Sequence, residues 1–396
     1  MSFDALGRTQ RTIAEELTSA LSSSLLPQSL LFSGKPGSSR LTGALDLAYE
    51  LTGGNRNVLR LPETALFLSR QMTNEFSSAI SLFERHRNES SKMFLIETVR
   101  KILLQYHYSI AELYEGKKAA VKGSGTDSDG KGDSTLFGNA EAVDSIILDM
   151  EDRTEWDDES VSEVVSELRR RVTPDFMTLG KKSAGATIDE IRAIQNWLED
   201  GSTEKCVIFE NAEDYTEGAK NSMLKMLEEP PEHSHIILIS EYPSRLLQTI
   251  LSRVRRFSFP ELSRKSISSF IGERYMLYGD YPSFAAFFFE TGNSDEDRKT
   301  VHDAAALYSS CLIEGKMMER ADENRMFQDL ERLSAYPYFL SLVKSYLDEA
   351  LSSGVKISRV RNAWNHLSFY ISRNEIFNMN IRYALDLALR EVADGK

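Results

Sequence analysis

The chain has 396 residues, 41% hydrophobic and 27% charged, a make-up that fits two or three globular domains and excludes a fibrous or disordered chain. A formal net charge of −13 argues against a protein that grips nucleic acid alone through its overall field, while leaving room for DNA contact inside a more basic assembly. Only Cys206 and Cys311 are present, so neither a disulfide framework nor a four-cysteine zinc site is expected; without an apolar run of 18 residues or a signal-peptide core, a soluble cytoplasmic protein is expected.

In chain order, residues 9–22 read as a helix and Pro27 marks a turn. Leu30-Leu31-Phe32 read as a strand, Gly34 and Gly37 as a turn, and 41–51 as a helix. Residues 62–87 and 90–114 carry apolar residues at three- and four-residue intervals, which predicts two helices packed as a hairpin, with Pro62 in the first turn of one. Residues 115–135 have almost nothing to bury and read as a disordered linker. After the acidic run 151–159, a helix is predicted over 160–171. "PDFMTL" (174–179) is strand-like, 188–198 helical, and 206–209 a buried strand ending in Glu210-Asn211. A helix over 216–229 stops at Pro230-Pro231; 235–240 and 255–259 are strands; from 261 onward only helical periodicity appears, with a break near 321–324. Strands alternating with helices imply an α/β fold, a parallel sheet covered on both faces, followed by all-helical domains.

Four places bear on function. The stretch "SLLFSGKPGSSRLTGALDLAYEL" has the frame of a phosphate-binding loop without its chemistry. In G-x-x-x-x-G-K-[ST], amides cradle phosphate, the Lys neutralises it and the hydroxyl holds Mg²⁺. Aligned on Gly34, the second glycine is Ser39, the lysine Arg40 and the hydroxyl residue Leu41, with Ser38 preceding them. A planar guanidinium is not the compact ammonium that seats between phosphates, and Leu41 cannot ligate a cation. Taken alone, the loop reads equally well as a plain strand-to-helix turn. At the second place, the buried strand ends in Glu210 and Asn211, where an ATPase of this layout carries an Asp for the metal and a Glu to polarise water. A longer carboxylate displaces the metal contact, and an amide is no base. The third is "MLKMLEEPP" (223–231), an amphipathic helix with a hard stop. The fourth is Ser252-Arg253, which in isolation would be a solvated helix-end pair.

In this order and spacing the residues resemble the clamp-loader branch of the AAA+ ATPases, in particular the delta-prime-type subunits of bacterial DNA polymerase III. Residues 211–231 are similar to the family's "DA(D/E)xMTxxAxNALLKxLEEPP" run, and 236–259 to its sensor strand and Ser-Arg-Cys motif, with Val254 in place of the cysteine. The resemblance covers 3–54 and 173–260, and the helical C-terminus only loosely. It implies an AAA+ domain made of 1–54 and 173–260, a helical insertion at 55–172, a lid at 261–321 and an oligomerising collar at 322–396. It also implies a stator-like, non-catalytic subunit whose Arg253, with Ser252, serves as an arginine finger for a neighbouring gamma/tau-type motor. The implied partners are the motor and delta subunits, and through the complex the sliding clamp and primer–template DNA. Arg255 and Arg256 would be ordinary surface charges. The family's four-cysteine zinc module is absent, so zinc is not expected; with Ser39, Arg40 and Leu41 in the loop and Glu210-Asn211 at the strand end, bound ATP is not expected either. Two other readings stay open: an ATPase with an atypical loop, and a scaffold reusing the frame outside replication.

Overall fold

The computed structural model describes residues 3–23, 25–53, 63–68, 72–114, 136–179, 185–201, 203–377 and 380–394. The expected linker at 115–135 and the helix-starting role of Pro62 lie outside them. Contacts divide the chain into two compact units, Met1–Asp280 and Tyr281–Lys396.

The first unit is built on five parallel strands, β1 (Ser29–Ser33), β2 (Thr64–Phe67), β3 (Lys205–Phe209), β4 (Ser234–Ser240) and β5 (Arg255–Ser258), in the order β2-β3-β4-β1-β5. Every residue of β1, β2 and β3 is buried, as a parallel sheet covered on both faces requires. Register places Ser33 of β1 beside Ser240 and Ser258, so β4, β1 and β5 end at one level. Phe32 packs its ring 5.8 Å from Phe257 and 5.0 Å from Phe259. Taking such a ring out of water stabilises by about 1.5–3 kcal/mol.

The helices of this unit are α1 (Asp4–Thr9), α2 (Arg11–Ser22), α3 (Arg40–Thr52), α4 (Thr73–His86), α5 (Glu89–Leu103), α6 (Leu136–Asp152), α7 (Asp158–Arg171), α8 (Pro174–Met177), α9 (Ile188–Glu199), α10 (Glu217–Glu228), α11 (Gln248–Leu251) and α12 (Arg264–Tyr275). Their starts are written in side chains. Asn88, Asp157, Thr187 and Thr216 each accept a backbone N–H from the first turn, and Thr187 with Glu190 forms a full capping box.

Three local readings change. "PDFMTL" is no strand: Thr173 caps α8 and Pro174 occupies its first turn, so a helix-start signal outranks the apolar run. The expected helix from 62 holds strand β2 before α4 begins at Thr73, because "TALF" is too short for periodicity to separate strand from helix. The helix expected over 90–114 ends at Leu103 and is followed by a 3₁₀ segment, Tyr108–Tyr114, while α6 precedes α7 where no helix was foreseen. The hairpin of α4 and α5 is present.

Residues 55–172 therefore do more than interrupt the sheet. β2 pairs with β3 and stacks Phe67 on Phe209 at 5.1 Å. Gln105 Nε2 donates to the Met177 carbonyl at 3.0 Å, Tyr106 Oη to that of Phe176 at 2.6 Å, and Tyr114 Oη to Glu190 at 2.5 Å. The segment supplies an edge strand and buried tethers to the core.

The second unit holds α13 (Phe284–Gly292), α14 (Asp295–Glu314), α15 (Arg320–Arg332), α16 (Tyr336–Ser352), α17 (Ile357–Phe377) and α18 (Ile381–Ala393). One core, including Tyr308, Phe327, Phe339 and Leu389, runs through it, and Tyr308 Oη donates to the Leu385 carbonyl at 2.9 Å. That core crosses the break expected at 321–324, and α12 lies in the first unit, so the division at Asp280–Tyr281 differs from borders at 260 and 321.

Candidate functional site

The loop between β1 and α3 sits at the C-terminal end of the sheet, where open α/β folds place their ligands. Gly34 is dictated by crowding: its N–H donates to the Ser240 carbonyl at 3.2 Å, and a Cβ there would lie 2.4 Å from the Phe259 oxygen. Gly37 turns the loop at φ 78°. Ser39, at φ 64° and ψ 22°, keeps the left-handed backbone that suits a glycine although it carries a side chain. The backbone thus holds the conformation glycine favours while Ser39 occupies the position.

The loop has neither a Lys at position 40 nor a hydroxyl at position 41. Arg40 is 8% exposed, its guanidinium turned into the fold, and Leu41 offers no oxygen. Among the described residues, Ser38 Oγ is buried with no hydrogen-bond partner. The loop is held from outside by Gln10, whose Nε2 donates to the carbonyls of Ser38 at 3.1 Å and Pro260 at 2.7 Å. Sequence reasoning passed over Gln10; its one signal was a polar residue at the break between two short helices.

Glu210 and Asn211 follow β3, one strand removed from the loop across β4. Asn211 adopts φ 47° and ψ 50°, a left-handed conformation that Asn tolerates better than Glu does, which gives the amide a backbone reason. Beyond it, buried Glu213 accepts the backbone N–H groups of Glu241 at 2.6 Å and Tyr242 at 3.0 Å, clamping the loops after β3 and β4 together. The acidic third position of the "NAE" run was the signal for Glu213. Asp214 pairs with Arg245 at 2.9 Å, yet burial outweighs the pairing and raises its pKa.

Ser252 and Arg253 lie in the turn between α11 and β5. α11 is only four residues, anchored by buried Ile250. Because β5 runs parallel to β1 and begins beside Leu30, this turn is at the opposite end of the sheet from the loop. Four strand residues separate the two ends, a distance of about 13 Å at ~3.3 Å per residue. Glu210, Asn211 and the loop are thus gathered at one end, and Arg253 is not among them. Its Nη1 donates to the Thr249 carbonyl at 2.7 Å, and its Nη2 meets Glu228 Oε1 at 2.7 Å.

Arg255 and Arg256 are both exposed but make different contacts. Arg255 lies over the Phe257 ring at 5.0 Å and is exposed, as expected. Arg256 Nε donates to Ser33 Oγ at 2.7 Å, because alternation along β5 puts 256 on the face of Ser258, beside the end of β1.

Sheet order and the loop after β1 give a P-loop-type frame, with Arg40 and Leu41 after the loop's turn and Glu210-Asn211 after β3. Residues 132–263, a third of the chain, match the family model described as DNA polymerase III, delta subunit. The Bacillus subtilis (strain 168) DNA polymerase III subunit delta′ is 38% identical over 96 residues, 24% of this chain and 28% of that protein. The delta′ subunit of Escherichia coli (strain K12) is 36% identical over 89 residues, 21% and 26% of the two chains. The tau subunit of Bacillus subtilis is 37% identical over 83 residues, 20% and 15%. The matched stretch spans about a quarter of the delta′ relatives' length. The solved structure of a DNA polymerase III gamma subunit-related protein from Thermotoga maritima aligns with 52% of this chain and 79% of its own at 20% identity, with a TM-score of 0.26, too loose for comparing sites. Over its motif-bearing segment the chain resembles DNA polymerase III delta′ subunits.

Proposed function

We propose that this chain is a non-catalytic, stator-like subunit of a DNA polymerase III clamp loader, and that Arg253 acts on ATP bound by a neighbouring motor subunit. The observation that carries the reading is placement: Arg253 lies at the far end of the sheet from this chain's own loop, so any phosphate it serves belongs to another subunit. There the guanidinium would donate to phosphate oxygens and offset the charge that builds during phosphoryl transfer. This chain's loop contributes no such chemistry: Arg40 is buried, Leu41 has no ligand atom, and Asn211 is no base. Its work is to keep the frame rigid, through Gln10 and Glu213, so that an interface is presented in fixed geometry.

The partners that follow are gamma/tau-type motor and delta-type subunits in the cytoplasm, with the sliding clamp and primer–template DNA met through the complex. The second unit would serve as the oligomerising part. An ATPase with an atypical loop would need a cation ligand where Leu41 stands, and a scaffold outside replication would have no use for an arginine at a subunit edge. Co-purification tests the reading: the tagged chain, expressed at native level, is expected to bring down motor and delta subunits in stoichiometric amount. Recovery of neither, with the chain intact and folded, contradicts it.

A further inference from the structure

We propose that Glu228 is the positioning residue for Arg253, holding its guanidinium aimed outward before any partner arrives; this rests on the trans-acting reading above. Glu228 Oε1 lies 2.7 Å from Arg253 Nη2, and the Thr249 carbonyl lies 2.7 Å from Nη1, so two separate helices grip the two terminal nitrogens. Nη1 also has a longer contact, 3.3 Å, with Ser252 Oγ. Among the described residues Nε–H makes no hydrogen bond, which leaves that donor for a phosphate oxygen.

Stability does not explain the pair. The two side chains are 32% and 47% exposed, and pairs so exposed contribute about 0–1 kcal/mol. Glu228 is also the last residue of α10, where a carboxylate opposes the helix dipole. What its place does provide is rigidity. The helix stops at Pro230-Pro231, and Met226 and Leu227 of the same turn are buried, so the carboxylate projects from a fixed point. A guanidinium ordered beforehand loses less freedom on meeting phosphate.

The test is stimulated ATP hydrolysis by the complex reconstituted with wild-type, Glu228→Ala, Glu228→Gln, Arg253→Ala and doubly substituted chains, each checked for cooperative melting. Glu228→Ala is expected to lower kcat about 3- to 10-fold, the scale of ordering one long side chain, with the KM for ATP unchanged. In the Arg253→Ala background it should have no further effect. Glu228→Gln, which keeps an oxygen beside Nη2 on the same rigid turn, should restore at least half the rate. An unchanged or raised kcat in Glu228→Ala, or a loss that persists without Arg253, overturns the positioning role. If Arg253→Ala impairs turnover while Glu228→Ala does not, the positioning role alone falls. If Arg253→Ala has no effect, the trans-acting reading falls with it.

Discussion

At Ser39 the chain holds a left-handed conformation that costs an L-residue about 1–2 kcal/mol. Ser39→Gly relieves that strain but returns about 0.4–1 kcal/mol of freedom to the unfolded chain. The variant is expected to be between neutral and about 1.6 kcal/mol more stable in urea titration, and to gain no ATP affinity, since Arg40 and Leu41 are untouched. A loss of stability would mean that Ser39 is not strained. A second group of residues couples the fold to pH. Glu204 accepts from His233 Nδ1 at 2.8 Å and from His235 Nε2 at 3.1 Å. The bond to Glu204 raises the His233 pKa, whereas burial lowers that of His235 despite the same carboxylate, and the His233 bond lowers that of Glu204. Stability from His233 is therefore full below its unfolded value, about 6.5, and is lost as pH rises through the folded value. His235 works with the opposite sign, because the unfolded chain takes up that proton first. The Glu204 contribution is present above the ordinary carboxylate range and lost as pH falls through its folded pKa. Glu204→Gln should move both histidine pKa values down in an NMR titration, and an unmoved His233 would refute the coupling.

At the scale of elements, residues 55–172 are tied to the sheet rather than looped out of it. Tyr114→Phe removes the donor to buried Glu190, a bond to a charged acceptor worth about 1.5–3 kcal/mol. Chemical denaturation should show a loss of that order in one cooperative transition; a loss under about 0.3 kcal/mol would mean that the 3₁₀ segment is not docked. The same segment shows where the sequence was legible. β1, β3 and β4 are apolar runs closed by turn residues, and their period and flanks suffice to place them. β2 is equally apolar but only four residues long, with helical spacing downstream, so the longer pattern absorbed it. α8 shows the reverse, a cap-and-proline signal hidden under apolar residues. The site divides in the same way. Which residues stand at the loop and at the end of β3 is local and readable. That Arg256 meets Ser33, that Gln10 ties Ser38 to Pro260, and that Glu228 meets Arg253 depend on register and on residues far apart in sequence.

For the whole molecule, a sheet with a loop at one end and an arginine at the other has a direction, and in a ring each subunit would turn its arginine end toward a neighbour's loop end. The second unit has its own core, and under the proposed function it would be where the ring assembles. No helix among the described residues is long and apolar enough to cross a membrane. The central claim is that this chain lends Arg253 to another subunit's ATP. Its most direct test is DNA- and clamp-stimulated ATP hydrolysis by a reconstituted clamp loader carrying Arg253→Ala, with Arg255→Ala as control, since Arg255 is an exposed arginine lying over Phe257. Arginine fingers are worth roughly 10³–10⁵ in rate at a single site, and a ring with several ATP sites would lose the share fired through this interface. The account predicts that Arg253→Ala assembles normally and turns over more slowly, while Arg255→Ala stays close to wild type. Full stimulated turnover with Arg253→Ala, or failure of the ring to assemble, would contradict it.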